Sequence, residues 1–211
     1  MIKGFYFITD KNLSRRGIIN DALKAVGAGA CAVQYRSKDM PTSKMINEAL
    51  ILRRICKRIP LIINDRVDIA LAVNADGVHL GQDDMPVNIA RRLLGRKKII
   101  GLTVHSLAQA EVGVRLKVDY LGISPIFFTN TKVTTIRPVG LKLISLIRKR
   151  FKNIPIVAIG GIKLKDAEDV IASGADALCA ISAVLKKKSL TEEINKFNRK
   201  INIGLACRSM L

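Results

Sequence analysis

The chain contains no tryptophan, and aromatic residues of any kind are scarce. Its four cysteines, Cys31, Cys56, Cys179 and Cys207, show no CxxC spacing, which argues against a metal held by thiolates. Three of them fall in or beside predicted strands and helices, as reduced, buried thiols do in a cytosolic protein. No apolar run approaches the roughly 18 residues that would cross a membrane. The N-terminus, MIKGFYFITDKN, places acid and base directly after a short apolar run, which fits a first strand and not a signal peptide. A cytoplasmic location and no membrane partner are therefore expected. Low-complexity tracts and linkers are also missing. The 211 residues read as one domain, 1–211, with a continuous core and a peripheral tail from about residue 203.

Acidic residues are the other shortage: 17 Asp and Glu stand against 36 Lys and Arg, a net charge of +19. Such a field attracts polyanions, so nucleic acid has to be considered. The cations are nevertheless scattered over predicted helices and turns (Arg53–Arg54, Lys97–Lys98, Arg148–Arg150, Lys186–Lys188), with no basic arm and no zinc-finger spacing. Solvated helix faces account for most of the charge, and nucleic acid is not expected as the principal partner. Oligomeric state stays open, a homo-oligomer included.

What the chain does have is regular alternation. Short, uniformly apolar segments at Phe5–Thr9, Ala32–Arg36, Leu61–Asn64, Gly77–Leu80, Ile99–Thr103, Tyr120–Ser124, Ile156–Ile159 and Ala177–Ile181 read as strands of a parallel sheet covered on both faces. Between them lie segments of helical periodicity: Gly17–Val26, Met45–Ile55, Val67–Asn74, Val87–Leu94, Leu107–Leu116, Leu141–Arg150, Ala167–Ser173 and Leu190–Ile201. In the second of these, Ile46, Ala49, Leu50, Leu52 and Ile55 are the expected inward positions. Eight strands and eight helices in this length predict an α/β fold, a compact (β/α)₈ TIM barrel. An open doubly wound sheet is the alternative, but it would need a glycine-rich phosphate turn after the first strand, where this chain has TDKNLSRRG.

In such a barrel, function sits where strands end. The segment LIINDRVDIALAVNADGVHLGQDD runs two strands directly into carboxylates, Asp65 after the first and Asp83 and Asp84 after the second. Paired acids there could hold a divalent metal, whereas helix capping by Asp65 is an equal rival. Other strand ends supply Gln34, Arg36 and Lys38; Asn64; His79 and Gln82; Thr103 and His105; Ser124, Thr129, Thr131 and Lys132; Gly160–Gly161; and Ser182. Arg36, Lys38 and Lys132 would converge as cations facing Asp65 and one loop acid, the arrangement a departing pyrophosphate needs. Backbone N–H groups near Gly160–Gly161 and Ser182 would form a second, metal-free phosphate site. Each residue also has a plainer reading: Arg36 and Asp65 as a structural ion pair, His79 as a satisfied core histidine, His105 as a turn residue, Thr129 and Thr131 as loop stiffeners, and the glycines as a simple turn.

The segments FYFITD, VQYRSK, LIINDRVDIALAVNADGVHLGQDD, GISPIFFTNTK, VAIGGI and GADALCAISAV, in this order and spacing from Phe5 to Val184, resemble the thiamine-phosphate synthase family. The resemblance implies a Mg²⁺-dependent transferase. It would join an aminopyrimidinylmethyl diphosphate to a thiazole phosphate, carboxylated or not, releasing pyrophosphate by a dissociative substitution. It implies Asp65 and Asp84 as Mg²⁺ ligands, with Asp83 a bystander. Arg36, Lys38, Asn64 and Lys132 would contact pyrophosphate, with Arg36, Lys38 and Lys132 catalytic. Gln34 and His79 would border the pyrimidine, and Thr129 and Thr131 would lie beside both substrates. Gly161, Ile181 and Ser182 would hold the thiazole phosphate. Thr103 stands where the family has serine, keeping the hydroxyl and adding a methyl. No histidine or cysteine nucleophile is expected. A thiazole tautomerase paralogue would not need the full set of Arg36, Lys38, Asp65, Asp84 and Lys132, and a basic barrel that had lost catalysis would show that set eroded.

Overall fold

The structure, a computed structural model, describes residues 2–129, 131 and 136–209. Eight parallel strands close into a barrel: β1 (Gly4–Ile8), β2 (Ala32–Tyr35), β3 (Leu61–Asn64), β4 (Gly77–Leu80), β5 (Ile99–Val104), β6 (Tyr120–Ile123), β7 (Ile156–Ile159) and β8 (Ala177–Cys179). Each pairs with its sequence neighbour, and β1 pairs with β8 through Gly4 opposite Ala177 and Phe5 opposite Leu178. Closure removes every sheet edge, which rules out the open doubly wound alternative.

The connecting helices are α1 (Ile18–Gly27), α2 (Thr42–Ile55), α3 (Val67–Ala72), α4 (Val87–Leu94), α5 (Leu107–Arg115), α6 (Gly140–Arg150) and α7 (Ala167–Ala172), the last preceded by a 3₁₀ turn at Leu164–Asp166. After β8 come a short α8 (Ile181–Leu185) and a long α9 (Leu190–Ser209). Strand residues are buried on both faces because helices cover the outside and side chains fill the inside. One apolar cluster lies between barrel and helices. A second, of Ile2, Tyr6, Ile8, Ala32, Tyr120, Val157, Ala177 and Cys179, fills the barrel itself.

Differences from the sequence reading have local causes. In α2 the buried residues are Met45, Ala49 and Leu52, while Leu50 is 41% exposed, because the helix begins a turn earlier and its inward stripe is narrower. The pattern extends the last strand to Ile181, but that residue already opens α8. The final helix runs to Ser209 and not Ile201, and Arg208 is held by Ala175 O at 2.8 Å and Asp176 Oδ1 at 2.8 Å. That helix packs on α7, α1 and β1. Among the described residues no helix is long and apolar enough to cross a membrane.

Candidate active site

All eight strands end on one rim. At the β3–β4 corner, Asn64 is in register with His79, and one residue further the Asp65 N–H donates to His79 O at 2.8 Å. Asp65 adopts φ 64°, a left-handed conformation that Asp tolerates better than most residues and that turns the chain off the strand. The helix α3 begins just beyond, with Arg66 at its N-cap position and no cap bond from the Arg66 side chain. In the next loop Asp84 is half-buried and its Oδ2 accepts the Gly81 N–H at 2.6 Å, while Asp83 is exposed.

A cleft of about 750 Å³, open to solvent, occupies the centre of this rim. Gln34 and Arg36 enter it from the end of β2, Asn64 from β3, His79 from β4 and Thr103 from β5. Thr129 and Thr131 come from the loop after β6, Gly161 from the turn after β7, and Ile181 with Ser182 from the start of α8. Lys38 is exposed on the β2 loop, where it lines an adjoining groove with Asp10, Arg36 and Thr131. Lys132 lies outside the described residues. The cleft thus gathers polar groups from seven strand ends, with Arg36 as the cation among its described lining residues.

Arg36 is clamped by the end of β1. Its N–H donates to Thr9 Oγ1 at 2.9 Å, and its Nη1 lies 3.6 Å from Asp10 Oδ2. Asp10 is buried, and its Oδ1 accepts the Asn12 and Leu13 N–H groups, each at 3.0 Å, so its loop is folded around its own carboxylate. The cation is therefore aimed by Asp10.

Beneath the cleft runs a line of buried polar groups. Gln34 Nε2 donates to Tyr6 Oη at 3.1 Å, and Tyr6 Oη meets Tyr120 Oη at 2.9 Å. Tyr120 Oη lies 2.8 Å from His79 Nδ1, and His79 Nε2 lies 2.7 Å from Thr103 Oγ1. Burial pushes the Tyr6 and Tyr120 hydroxyls well above their usual range, so both stay protonated. His79 is accordingly both a satisfied core residue and part of the cleft lining. The threonine hydroxyl is used in this bond.

On the far side of the cleft, Gly160 and Gly161 have φ of 100° and 69°. A Cβ on Gly161 would stand 2.5 Å from Phe128 O, so the pair both turns the chain and seats the β6 loop, whose Phe127 N–H donates to Gly160 O at 3.0 Å. Cys179 also lines the cleft, but burial drives its thiol well up, which leaves it protonated and a poor nucleophile. His105 is held in the turn before α5, its N–H on Gln109 Oε1 at 2.7 Å and its Nδ1 against Ser124 O.

Tyr6, Tyr120 and Asp10 escaped the sequence reading. The tyrosines sit at strand positions indistinguishable from apolar core. A usable signal was a pair of glycines, Gly101 and Gly122, inside uniformly apolar strands. A Cβ on Gly101 would come within 2.1 Å of the Tyr120 ring, and one on Gly122 within 2.8 Å of His79 Cε1.

The chain is similar to known proteins over nearly its whole length. The profile of the thiamine monophosphate synthase family matches residues 5–184. The thiamine-phosphate synthase of Methanosarcina barkeri is 47% identical over 194 residues, covering 92% of this chain and 88% of the relative. That of Chloroflexus aurantiacus is 48% identical over 204 residues, covering 94% and 92%. The structure of a thiamine phosphate pyrophosphorylase from Pyrococcus furiosus superposes with a TM-score of 0.88 at 34% identity, over 96% of both chains. The profile match over most of the chain, with this identity over nearly its whole length, shows that this chain belongs to the thiamine monophosphate synthase family of transferases.

Proposed function

We propose that the chain couples an aminopyrimidinylmethyl diphosphate to a phosphoethylthiazole, releasing pyrophosphate and forming thiamine phosphate. The observation that carries this reading is a single cleft with Arg36 and Asn64 on one side and the Gly160–Gly161 turn with Ser182 on the other. A leaving diphosphate fits the first side and a phosphomonoester the second, held largely by backbone N–H groups of Gly161, Ile181 and Ser182. Arg36 and Lys38 stabilise charge as it develops on the departing oxygens, and the threonine-lysine motif through Lys132 supplies a third cation. Gln34 and His79 orient the pyrimidine, while Thr129 and Thr131 hold the two substrates together.

Asp65 and Asp84 fit Mg²⁺. Both are hard oxygen donors on adjacent loops, and no third His, Cys, Asp or Glu joins them among the described residues. Two carboxylates with the remaining positions left to substrate phosphate and water is how Mg²⁺ is usually held. When bound, Mg²⁺ supplies charge neutralisation to the diphosphate leaving group. The route is dissociative, so bond breaking and not a protein nucleophile limits it, in keeping with the protonated Cys179. Incubating the chain with both substrates and Mg²⁺ should yield pyrophosphate and thiamine phosphate in equal amounts. Pyrophosphate alone, or a rearranged thiazole phosphate without pyrophosphate, would reject the coupling reaction.

A further inference from the structure

The buried polar line has a direction. An amide nitrogen only donates, so Tyr6 Oη accepts from Gln34 Nε2. Tyr6 is fully buried, and its other hydroxyl partner among the described residues is Tyr120, 2.9 Å away. A buried hydroxyl proton without an acceptor is costly, so Tyr6 donates to Tyr120. Tyr120 has then accepted one bond and, being fully buried too, passes its single proton to His79 Nδ1 at 2.8 Å. A neutral imidazole that accepts at Nδ1 carries its proton on Nε2, which points at Thr103 Oγ1 at 2.7 Å. Thr103 is half-buried on the wall of the cleft. Its oxygen then accepts from His79, which leaves its own proton to be donated to an acceptor in the cleft.

We propose that Tyr6 and Tyr120 are positioning residues that fix His79 as the Nε2–H tautomer and so turn the Thr103 hydroxyl into a donor aimed at an anionic substrate oxygen. The identification of that oxygen as part of the diphosphate rests on the function proposed above; the tautomer does not. The two glycines strengthen the argument independently. Gly101 and Gly122 leave room for the Tyr120 ring and the His79 ring, whose centroids lie 5.4 Å apart. The barrel interior is thus shaped around this line of rings and not merely filled by it. Among the bound oxygens, one facing Thr103 receives a hydrogen bond whose proton was placed before the substrate arrived, which lowers the reorganisation needed as charge develops.

The chain has two histidines, which makes the tautomer directly readable. A sample of the full chain labelled with ¹⁵N-histidine gives two imidazole patterns in a long-range ¹H–¹⁵N spectrum, and a His105→Gln sample identifies which is which. The expected His79 pattern has a protonated Nε2 and an unprotonated Nδ1, without any substrate present. An Nδ1–H tautomer or a doubly protonated ring would overturn the proposal, whatever the enzyme's activity. The second arm is kinetic. Tyr120→Phe should lower kcat about tenfold with little change in the KM for the thiazole phosphate, and Thr103→Val should do the same. In the Thr103→Val background, Tyr120→Phe should have no further effect, and Thr103→Ser should restore the rate. Multiplicative losses in the double variant would show that the Tyr120 hydroxyl acts independently of Thr103, and would also overturn the proposal. A wild-type chain that turns over neither substrate while showing the Nε2–H pattern would count against the function and leave the tautomer standing.

Discussion

The two rims of the barrel use the same residue types for opposite purposes. On the rim where strands begin, three aspartates repeat one device. Asp76 accepts the Leu61 N–H at 2.8 Å and meets Arg53 at 3.4 Å. Asp119 accepts the Ile100 N–H at 2.8 Å and meets Arg91 at 2.6 Å. Asp176 accepts the Ile156 N–H at 2.9 Å and meets Arg148 at 2.5 Å and Arg208 at 2.8 Å. Each acid precedes an even-numbered strand, reaches the start of the odd-numbered strand before it, and takes its arginine from the last turn of an even-numbered helix, where a cation also suits the helix dipole. The fourth equivalent position, before β2, is Cys31, whose N–H donates to Phe5 O at 2.8 Å. On the opposite rim, Asp65 and Asp84 stand on the loops after β3 and β4, and Arg36 lines the central cleft. Acids that close strand starts against arginines serve the fold; for the loop acids Asp65 and Asp84 the proposed role is chemical.

The comparison can be broken by substitution. Asp65→Ala and Asp84→Ala should each lower kcat/KM about a thousandfold, roughly 4 kcal/mol, and weaken the Mg²⁺ dependence, while each costs about 1 kcal/mol of stability, Ala being strained at φ 64° and Asp84 giving up its bond from Gly81. Near-normal turnover in both would remove the metal assignment. Asp176→Ala should do the reverse: two arginines and a strand N–H lose their partner, and about 3 kcal/mol of stability should disappear in a urea titration while kcat is retained. A large loss of kcat in the folded variant would erase the division between rims. Arg36→Ala should slow turnover about a hundredfold, a little under 3 kcal/mol, and Asp10→Asn less, because Asp10 only aims the guanidinium.

The smallest effect is expected at the outer edge of the functional rim, where Arg66 and Asp68 pair at 2.5 Å in largely exposed positions. The hydrogen bond from Arg66 holds the Asp68 carboxyl below its usual range. A lowered folded value means that the pair's stabilisation is present above the ordinary carboxylate value of 3.8 and fades as pH falls through the folded value. Asp68→Asn should therefore cost about 0.5 kcal/mol at neutral pH and nothing in strong acid, as read from midpoints across that range. A loss as large as that of Asp176→Ala would mean that geometry at this rim is also structural.

Much of this was legible in the chain. The limits of β3, β4, β7 and α4 coincide with the sequence reading, because the strands are short, mainly apolar runs and α4 a periodic segment, each bounded by glycine, proline or a charged residue. The rim residues Gln34, Arg36, Asn64, His79 and Thr103 follow from knowing where strands stop. Leu50 was misplaced because a helix in contact with a curved barrel buries a narrower stripe than periodicity implies. The short helix α8 was invisible because apolar residues continue without a break from β8 into it.

The sequence alone determined the alternation, the barrel and the family, since these depend on local period and on motifs of fixed spacing. It could not determine which distant groups share a hydrogen bond. Tyr6 and Tyr120 are 114 residues apart and meet only because closure of the barrel turns both inward at the same height. Arg36 and Asp10 are neighbours for a similar reason, their strands being paired in register through Ile8 and Gln34. Strand order and register place side chains across the barrel, so the direction of the polar line and the aim of its last hydroxyl belong to the tertiary structure.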